Sequence, residues 1–299
     1  MLVKSATVLE ERPQNISLLT LSVSKAKTFK ECQAKFKFTY IEKLPRKERD
    51  YHIFGKFLHE ILEKFHKELL NGNTELNNII MSKCFKSAYE TFKEKLNADQ
   101  IKEAKGIISK YLIKLEYDKR LGKESQILAV EKEFYININD RILLNGYIDR
   151  IQLDADGLLH VGDYKTTLLL DKRALDGIFT ESEKYKRYKR DIFQLKTYCY
   201  VQMLEDQNLN QIRASYVMLR HDFHQIEKVF DREQIMKMGD EFVEYANKIE
   251  EEKLYREKIS PLCSYCEYAE KDICKPGYDY AEAQKEKANI GKSYGESNW

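Results

Sequence analysis

A chain of 299 residues, 42% apolar and 33% charged, has the side chains for a real core and is not a disordered polymer. Only 4 Pro and 12 Gly are too few for a loop-rich all-β protein, so helices are expected to dominate. The 51 Lys and Arg nearly cancel 49 Asp and Glu, so a nucleic-acid partner is not announced by bulk charge and would need a local basic surface.

Residues 1–20 read as an irregular or strand-like lead without the continuous apolar segment of a signal peptide. No apolar run approaches membrane-spanning length, so no membrane partner is expected. These features suggest a reducing cytoplasm, bacterial, archaeal or of a phage-infected host cell, in which six Cys are thiols or metal ligands. Ser22 or Ser24 is placed to cap a helix from Lys25 onward, with Phe29, Cys32, Phe36 and Tyr40 at spacings of three and four. Five Lys between Lys25 and Lys37 make this segment basic. Pro45 and the charged run Arg46 to Asp50 end it. A second helix carries Phe54, Leu58, Ile61, Leu62 and Phe65 and stops at Asn71-Gly72. Residues 75–122 read as helical, with Ile79, Phe85, Tyr89, Phe92, Ile107, Tyr111 and Leu115 as apolar positions.

The pattern then changes to strands. Residues 127–138 alternate and are rich in β-branched and aromatic residues; Arg141 to Leu153 and Leu158 to Thr167 follow, with Asp154-Ala155-Asp156-Gly157 as the turn. This predicts an antiparallel meander of three strands. Residues 168–190, ending in the basic run Lys184 to Arg190, read as a charged loop or insertion. A helix over 191–206, two strands over 211–230 and a helix over 232–256 complete the pattern. Residues 1–280 are taken as one domain, and 281–299 as a disordered tail.

The hairpin is the most informative stretch. If Leu153 pairs with Leu158, Asp149 falls opposite Gly162 and Asp163 opposite Ile148, one position apart on neighbouring strands. Lys165 shares a face with Asp163. Two carboxylates so close repel unless a cation joins them, and Mg²⁺ or Mn²⁺ removes that conflict. An ammonium beside such a metal suits phosphodiester hydrolysis. Alternation alone would also produce an Asp, Asp, Lys face on a surface hairpin, but Ile148, Ile151, Leu158, Leu159 and Val161 point to central strands.

Asp149, a gap of 13 residues, and Asp163-Tyr164-Lys165 resemble the signature of the PD-(D/E)XK nuclease superfamily. The form G-Y-I-D with D-Y-K-T is similar to its RecB-like iron–sulfur branch, which includes CRISPR-adaptation and AddB-type exonucleases. The resemblance continues at His59 in F-G-K-F-L-H-E and at Gln194 and Tyr198 in Q-L-K-T-Y. It implies an α/β, restriction-endonuclease-like core, a mixed central sheet flanked by helices, with an N-terminal helical region and a C-terminal Cys-rich iron–sulfur segment. It also implies a metal held by His59, Asp149, Asp163 and the Tyr164 carbonyl. Lys165 would orient the attacking water, and Gln194 and Tyr198 would contact the DNA backbone or support Lys165. Glu131 is a further candidate carboxylate that the sequence does not separate from Glu133. His52, His59 and His66 recur every seven residues, a spacing also suited to a solvated stripe.

Cys263, Cys266 and Cys274 fall within twelve residues, a spacing that invites a soft metal. The resemblance supplies Cys32 as the fourth ligand and a [4Fe-4S] cluster joining residue 32 to 263–274, although the gap before Cys274 is longer than is usual in the family. Zn²⁺ on the same four thiolates is the alternative. Cys84 and Cys199 read as buried apolar thiols.

The function implied is a Mg/Mn-dependent deoxyribonuclease, an exonuclease on single-stranded DNA or DNA ends that uses two-metal-type hydrolysis. Its setting would be recombination, repair, phage DNA processing or CRISPR adaptation, with a helicase, recombination or CRISPR adaptation protein as partner. A non-catalytic DNA-binding or assembly subunit, and an RNA-directed hydrolase, remain open readings.

Overall fold

The structure, a computed structural model, describes residues 6–13, 18–46, 48–73, 75–168 and 183–296. In chain order the strands are β1 (Thr7–Leu9), β2 (Leu19–Leu21), β3 (Gln126–Asn139), β4 (Ile142–Leu153), β5 (Leu159–Lys165), β6 (Gln211–Met218) and β7 (His224–Asp231). The helices are α1 (Val23–Glu31), α2 (Gln33–Phe36), α3 (Asp50–Leu70), α4 (Asn77–Phe92), α5 (Ala98–Arg120), α6 (Glu183–Arg190), α7 (Phe193–Glu205), α8 (Arg232–Met236), α9 (Met238–Glu251), α10 (Glu267–Glu270) and α11 (Lys275–Glu296). The chain divides into two compact units, Met1–Thr20 with Glu48–Val243, and Leu21–Lys47 with Glu244–Trp299.

The larger unit is built on a seven-stranded mixed sheet in the order β1-β3-β4-β5-β6-β7, with β2 paired to β4. β3, β4 and β5 form the expected antiparallel meander. β6 joins β5 in parallel, reached through α7, and β7 returns antiparallel to β6. The helical stretch 75–122 is two helices, and α5 opens with a capping box: Gln100 N–H donates to Asn97 Oδ1 at 2.9 Å, and Asn97 N–H to Gln100 Oε1 at 3.0 Å.

The core lies where α3 meets α4, α5 and the sheet. Phe54, Phe57, Leu58, Ile61, Leu62 and Phe65 are buried along α3 against Ile80, Met81, Cys84 and Ala88 of α4, Ile107, Ile108 and Tyr111 of α5, and Tyr164 and Val217 of the strands. Burying each large apolar side chain contributes roughly 1.5–3 kcal/mol. On α4 the expected Phe85, Tyr89 and Phe92 pack against this core, but Ile79 is exposed and its neighbour Ile80 is buried in its place.

Two further expectations change. The basic end of the stretch read as a loop is a helix, α6; residues 169–182 lie outside the described residues. The helix expected over 232–256 is interrupted at Lys237 and ends at Glu251. A side chain at Gly239 would come within 2.8 Å of Tyr200 Oη, so this turn needs glycine to approach α7.

The smaller unit joins an early and a late stretch of chain. Ser22 is the observed cap of α1: its Oγ accepts from Lys25 N–H at 3.2 Å. The helix expected to run from Lys25 to Tyr40 breaks at Cys32, which is extended, before α2 and a π-helical turn over Lys37–Ile41. Phe38 packs on Tyr268 with ring centroids 5.2 Å apart, and Thr39 Oγ1 lies 3.0 Å from Tyr268 Oη. Ala34 N–H donates to the Arg256 carbonyl and Lys271 to the Pro45 carbonyl. Beyond Tyr280, where an irregular tail was expected, α11 continues to Glu296.

Candidate metal centre and active site

Two strand ends and two helices build the site. In the hairpin, Leu153 pairs with Leu159 and Arg150 with Gly162. The register differs by one residue from that assumed from the sequence. The cause is the turn: Asp154 N–H donates to the Leu158 carbonyl, and Gly157 takes a φ of +83°, so Leu158 belongs to the loop. Continuing the observed register by one rung sets Asp149 directly opposite Asp163. In an antiparallel pair that puts both carboxylates on one face without any bulge.

α3 supplies His59 from the edge of its buried stripe. The three histidines of the heptad have three environments. His52 is exposed, His66 is buried against Tyr111, and His59 stands over the strand ends. His59 Nε2 donates to the Tyr164 carbonyl at 3.1 Å. Its other nitrogen, Nδ1, lies 3.5 Å from Asp149 Oδ2, which already accepts from Tyr164 N–H at 2.8 Å. Burial holds His59 below the usual imidazole range, against the pull of Asp163, so the ring is neutral near pH 7. A lone pair on Nδ1 therefore faces a carboxylate oxygen.

Glu131 completes this group. One ligand atom each from His59, Glu131 and Asp149 lie within 4.8 Å of one another. Glu131 sits on β3 between the rungs Val130–Arg150 and Lys132–Ile148, with a φ of +44° that is uncommon for a non-glycine residue. Glu133 is elsewhere: it is exposed and accepts from the Tyr135 and Tyr147 hydroxyls. Burial, then Asp163 and Glu131, push the Asp149 carboxyl well above its ordinary range, although Lys165 opposes this. Burial and Glu63 push Glu131 up to about 7. Two acids that resist ionising, beside a neutral imidazole lone pair, fit a divalent cation, whose charge would relieve all three.

Asp163 is held differently. Its Oδ2 lies 2.5 Å from Lys165 Nζ, and its Oδ1 accepts from Gln194 Nε2 at 2.7 Å and from the Tyr198 hydroxyl at 3.3 Å. It lies outside the three-residue ligand group, although the sequence suggested it as a ligand. Gln194 Oε1 accepts from Lys165 at 3.3 Å, and Gln194 Nε2 also donates to Tyr198 Oη at 2.8 Å, one turn along α7. Burial works against the Lys165 charge, but Asp163 outweighs it and raises the amine above its usual range. The Lys165 ammonium stands 5.4 Å from the Tyr216 ring centroid.

A second network lies on the other face of the same strands. Arg150 is buried and donates to Tyr164 Oη at 3.1 Å, and Tyr111 Oη lies 2.6 Å from His66 Nε2. Nothing in the sequence beyond apolar spacing signals it. At the far end of the hairpin His160 links Ser215 Oγ, 2.7 Å away, with Asp154 Oδ2, 2.9 Å away. Ser215 has no exposed surface, so this Ser–His–Asp line is a clamp between β5 and β6 and not a nucleophile.

In the smaller unit Cys32, Cys263, Cys266 and Cys274 line one pocket, with Phe38, Leu262, Tyr268 and Ala269 around them. Cys32 is extended, Cys263 lies in the short helical turn Pro261–Tyr265, Cys266 ends that turn, and Cys274 directly precedes α11. Burial is the main cause that raises Cys274, and Cys32 and Cys266 add to it. Cys84 and Cys199 are buried elsewhere.

Comparison with known proteins places relatives of this chain among DNA-processing enzymes. The chain is 25% identical over 154 residues to an ATP-dependent helicase/deoxyribonuclease chain of Streptococcus pyogenes serotype M3, and equally to that of serotype M49. The match covers 50% of this chain but only 14% of each relative. A crystal structure of a candidate exonuclease from Eubacterium rectale aligns over 81% of this chain and 91% of its own, with a TM-score of 0.39 and 11% identity. The profile of the PD-(D/E)XK nuclease superfamily matches residues 20–275, and the chain belongs to that superfamily.

Proposed function

We propose that the protein is a divalent-metal-dependent deoxyribonuclease that acts on single-stranded DNA or DNA ends, as an exonuclease. The observation that carries this reading is the pairing of His59 Nδ1 with Asp149 Oδ2 at 3.5 Å, with Glu131 alongside and an ammonium on the neighbouring strand. His59, Glu131 and Asp149 would hold Mg²⁺ or Mn²⁺, with the Tyr164 carbonyl and Asp163 as the further candidates. When bound, such an ion supplies Lewis-acid polarisation of a phosphate oxygen and lowers the pKa of a water. Lys165 contributes a fixed positive charge where negative charge develops on phosphorus, and Asp163, Gln194 and Tyr216 keep that charge in place. This ligand group accounts for one cation; a two-metal arrangement would need ligands from the substrate or from Asp163.

For the smaller unit the reading is a [4Fe-4S] cluster on Cys32, Cys263, Cys266 and Cys274. The four thiols line one pocket, which supports a shared metal site, and Zn²⁺ on the same four thiolates is the alternative. The proposed setting is recombination, repair, phage DNA processing or CRISPR adaptation. The streptococcal relatives, named for helicase and deoxyribonuclease activity together, make a helicase one reasonable partner.

The deciding assay is cleavage of end-labelled single-stranded DNA with Mn²⁺, with Mg²⁺ and with EDTA, beside Asp149→Asn. Metal-dependent cleavage lost in the variant supports the reading. DNA binding without cleavage under every metal would replace it with the non-catalytic assembly subunit.

A further inference from the structure

The basic run ending α6 has a place in the molecule that its sequence did not reveal. Tyr185 and Tyr188, three residues apart, form the inward stripe of the helix. Tyr185 is buried, its ring centroid 5.8 Å from that of His224. Tyr188 Oη lies 2.8 Å from Thr167 Oγ1, two residues past Lys165. The ring of Tyr216 joins this helix to the active-site lysine: its centroid is 5.1 Å from that of Tyr188 and 5.4 Å from Lys165 Nζ. Tyr216 Oη also donates to the Asp191 carbonyl at 2.8 Å, fixing the chain as it leaves α6. Two residues later α7 begins, carrying Gln194.

The aromatic stripe therefore turns the other side of α6 outward, and that side is Lys186, Arg187, Lys189 and Arg190, all exposed. A chain of net charge +2 thus concentrates four cations on two turns of helix beside the cleft that holds Asp163 and Lys165. Asp163 is already paired with Lys165 in that cleft, so before a metal binds the cleft offers a polyanion little net attraction, and a cationic anchor next to it has a clear physical use.

Resting on the nuclease reading, we propose that the outer face of α6 is the substrate anchor: it grips backbone phosphates of the single DNA strand a few nucleotides from the phosphate being cut. The contacts are charge contacts to the backbone, so they add affinity and register without reading sequence. Cations in the last turn of a helix also suit its dipole. A role confined to the dipole would change the melting temperature on substitution and leave the salt dependence of DNA binding as it was.

The test uses the full chain and a fluorescein-labelled single-stranded DNA oligonucleotide, read by anisotropy in Ca²⁺ across a salt series. The variants are K186Q with R187Q, K189Q with R190Q, and all four together; Gln keeps helix propensity. The slope of log K against log salt should shrink by about 0.7 for each cation that meets a phosphate. Each pair should weaken binding roughly tenfold or more at physiological salt. KM for DNA should rise, with kcat at saturating DNA retained. Circular dichroism and melting report folding, and if the fourfold variant unfolds, each pair still reads half the effect. K83Q on α4 with K93Q at its C-terminal cap is the control surface. An unchanged slope in the α6 variants, or an equal loss in the control, overturns the proposal. Because binding is read without cleavage, the anchor is judged separately from whether the wild type cuts DNA.

Discussion

Gln194 Nε2 donates to Asp163 Oδ1 at 2.7 Å, while the other end of the same amide accepts from Lys165. The glutamine thus spans an ion pair on one strand from a helix 31 residues away. Because an amide offers both a donor and an acceptor, no apolar or acidic residue reproduces that bridge. Gln194→Leu should lower kcat roughly 10- to 100-fold, as loss of a group that orients a reacting centre does. Lys165→Ala should cost more, about 10²- to 10⁴-fold, because the charge itself is removed. Single-turnover cleavage of end-labelled DNA measures both. Full-rate cleavage by Gln194→Leu would show that the bridge has no part in turnover.

The sequence could not choose between Glu131 and Glu133, but their environments differ sharply. Glu131 shares a cleft with His59 and Asp149, and Glu133 is exposed between two tyrosine hydroxyls. Glu131→Gln should reduce or abolish the rise in melting temperature that Mn²⁺ gives the wild type. That rise corresponds to about 2.7 kcal/mol when the ion is at a hundred times its Kd. Glu133→Gln should keep it. Equal Mn²⁺ stabilisation in the two variants would remove Glu131 from the ligand group.

The meander and the long helices were legible because each rests on a short-range pattern, whereas His59, Gln194 and Tyr198 were singled out only by resemblance. Alternation marked β3 to β5, the period of α3 marked its buried stripe, and turn chemistry marked Gly157. What was not legible depends on particular hydrogen bonds, backbone angles and packing contacts that residue type alone does not announce. The one-residue register error came from assigning Leu158 to a strand, which a single carbonyl accepting from Asp154 decides. The break at Cys32 is invisible in a helix-like spacing of Phe29, Cys32, Phe36 and Tyr40, because the Ala34 contact that favours it comes from Arg256. Glu131 could not be singled out because residues two apart on a strand share a face, and only the backbone φ of +44° distinguishes it. α6 looked like a solvated charge run until Tyr185 and Tyr188 were seen packing against His224, Thr167 and Tyr216.

The six cysteines should separate into two classes. Anaerobically purified wild type should be coloured and contain iron. Cys32→Ser, Cys263→Ser, Cys266→Ser and Cys274→Ser should each lose most of that iron, since their thiols line one pocket. Cys84→Ala and Cys199→Ala should retain it, since both thiols are buried elsewhere and burial raises their pKa against thiolate formation. Metal analysis alongside absorption spectra decides the matter. A colourless protein holding one zinc per chain would replace the cluster with the zinc site.

His66 makes stability depend on pH independently of any metal. It is 1% exposed, Tyr111 Oη is 2.6 Å from Nε2, and the buried Arg150 charge lies nearby. Burial first, and Arg150 second, depress its pKa from 6.5 to about 3. The folded protein therefore refuses a proton that the unfolded chain takes up as pH falls below about 6.5. Above that value both states carry neutral His66 and the group is silent. Below it, the group withdraws stability at up to about 1.4 kcal/mol per pH unit until the folded pKa is reached. His66→Gln keeps an acceptor for the Tyr111 hydroxyl and cannot titrate. It should be less stable than wild type at pH 8, and its acid limb should be shallower by roughly one proton between pH 6 and pH 4. Urea unfolding across that range measures the slopes. Parallel acid limbs in the two proteins would show that His66 is already charged in the folded state, which would require Tyr111 and Arg150 to be arranged differently around it.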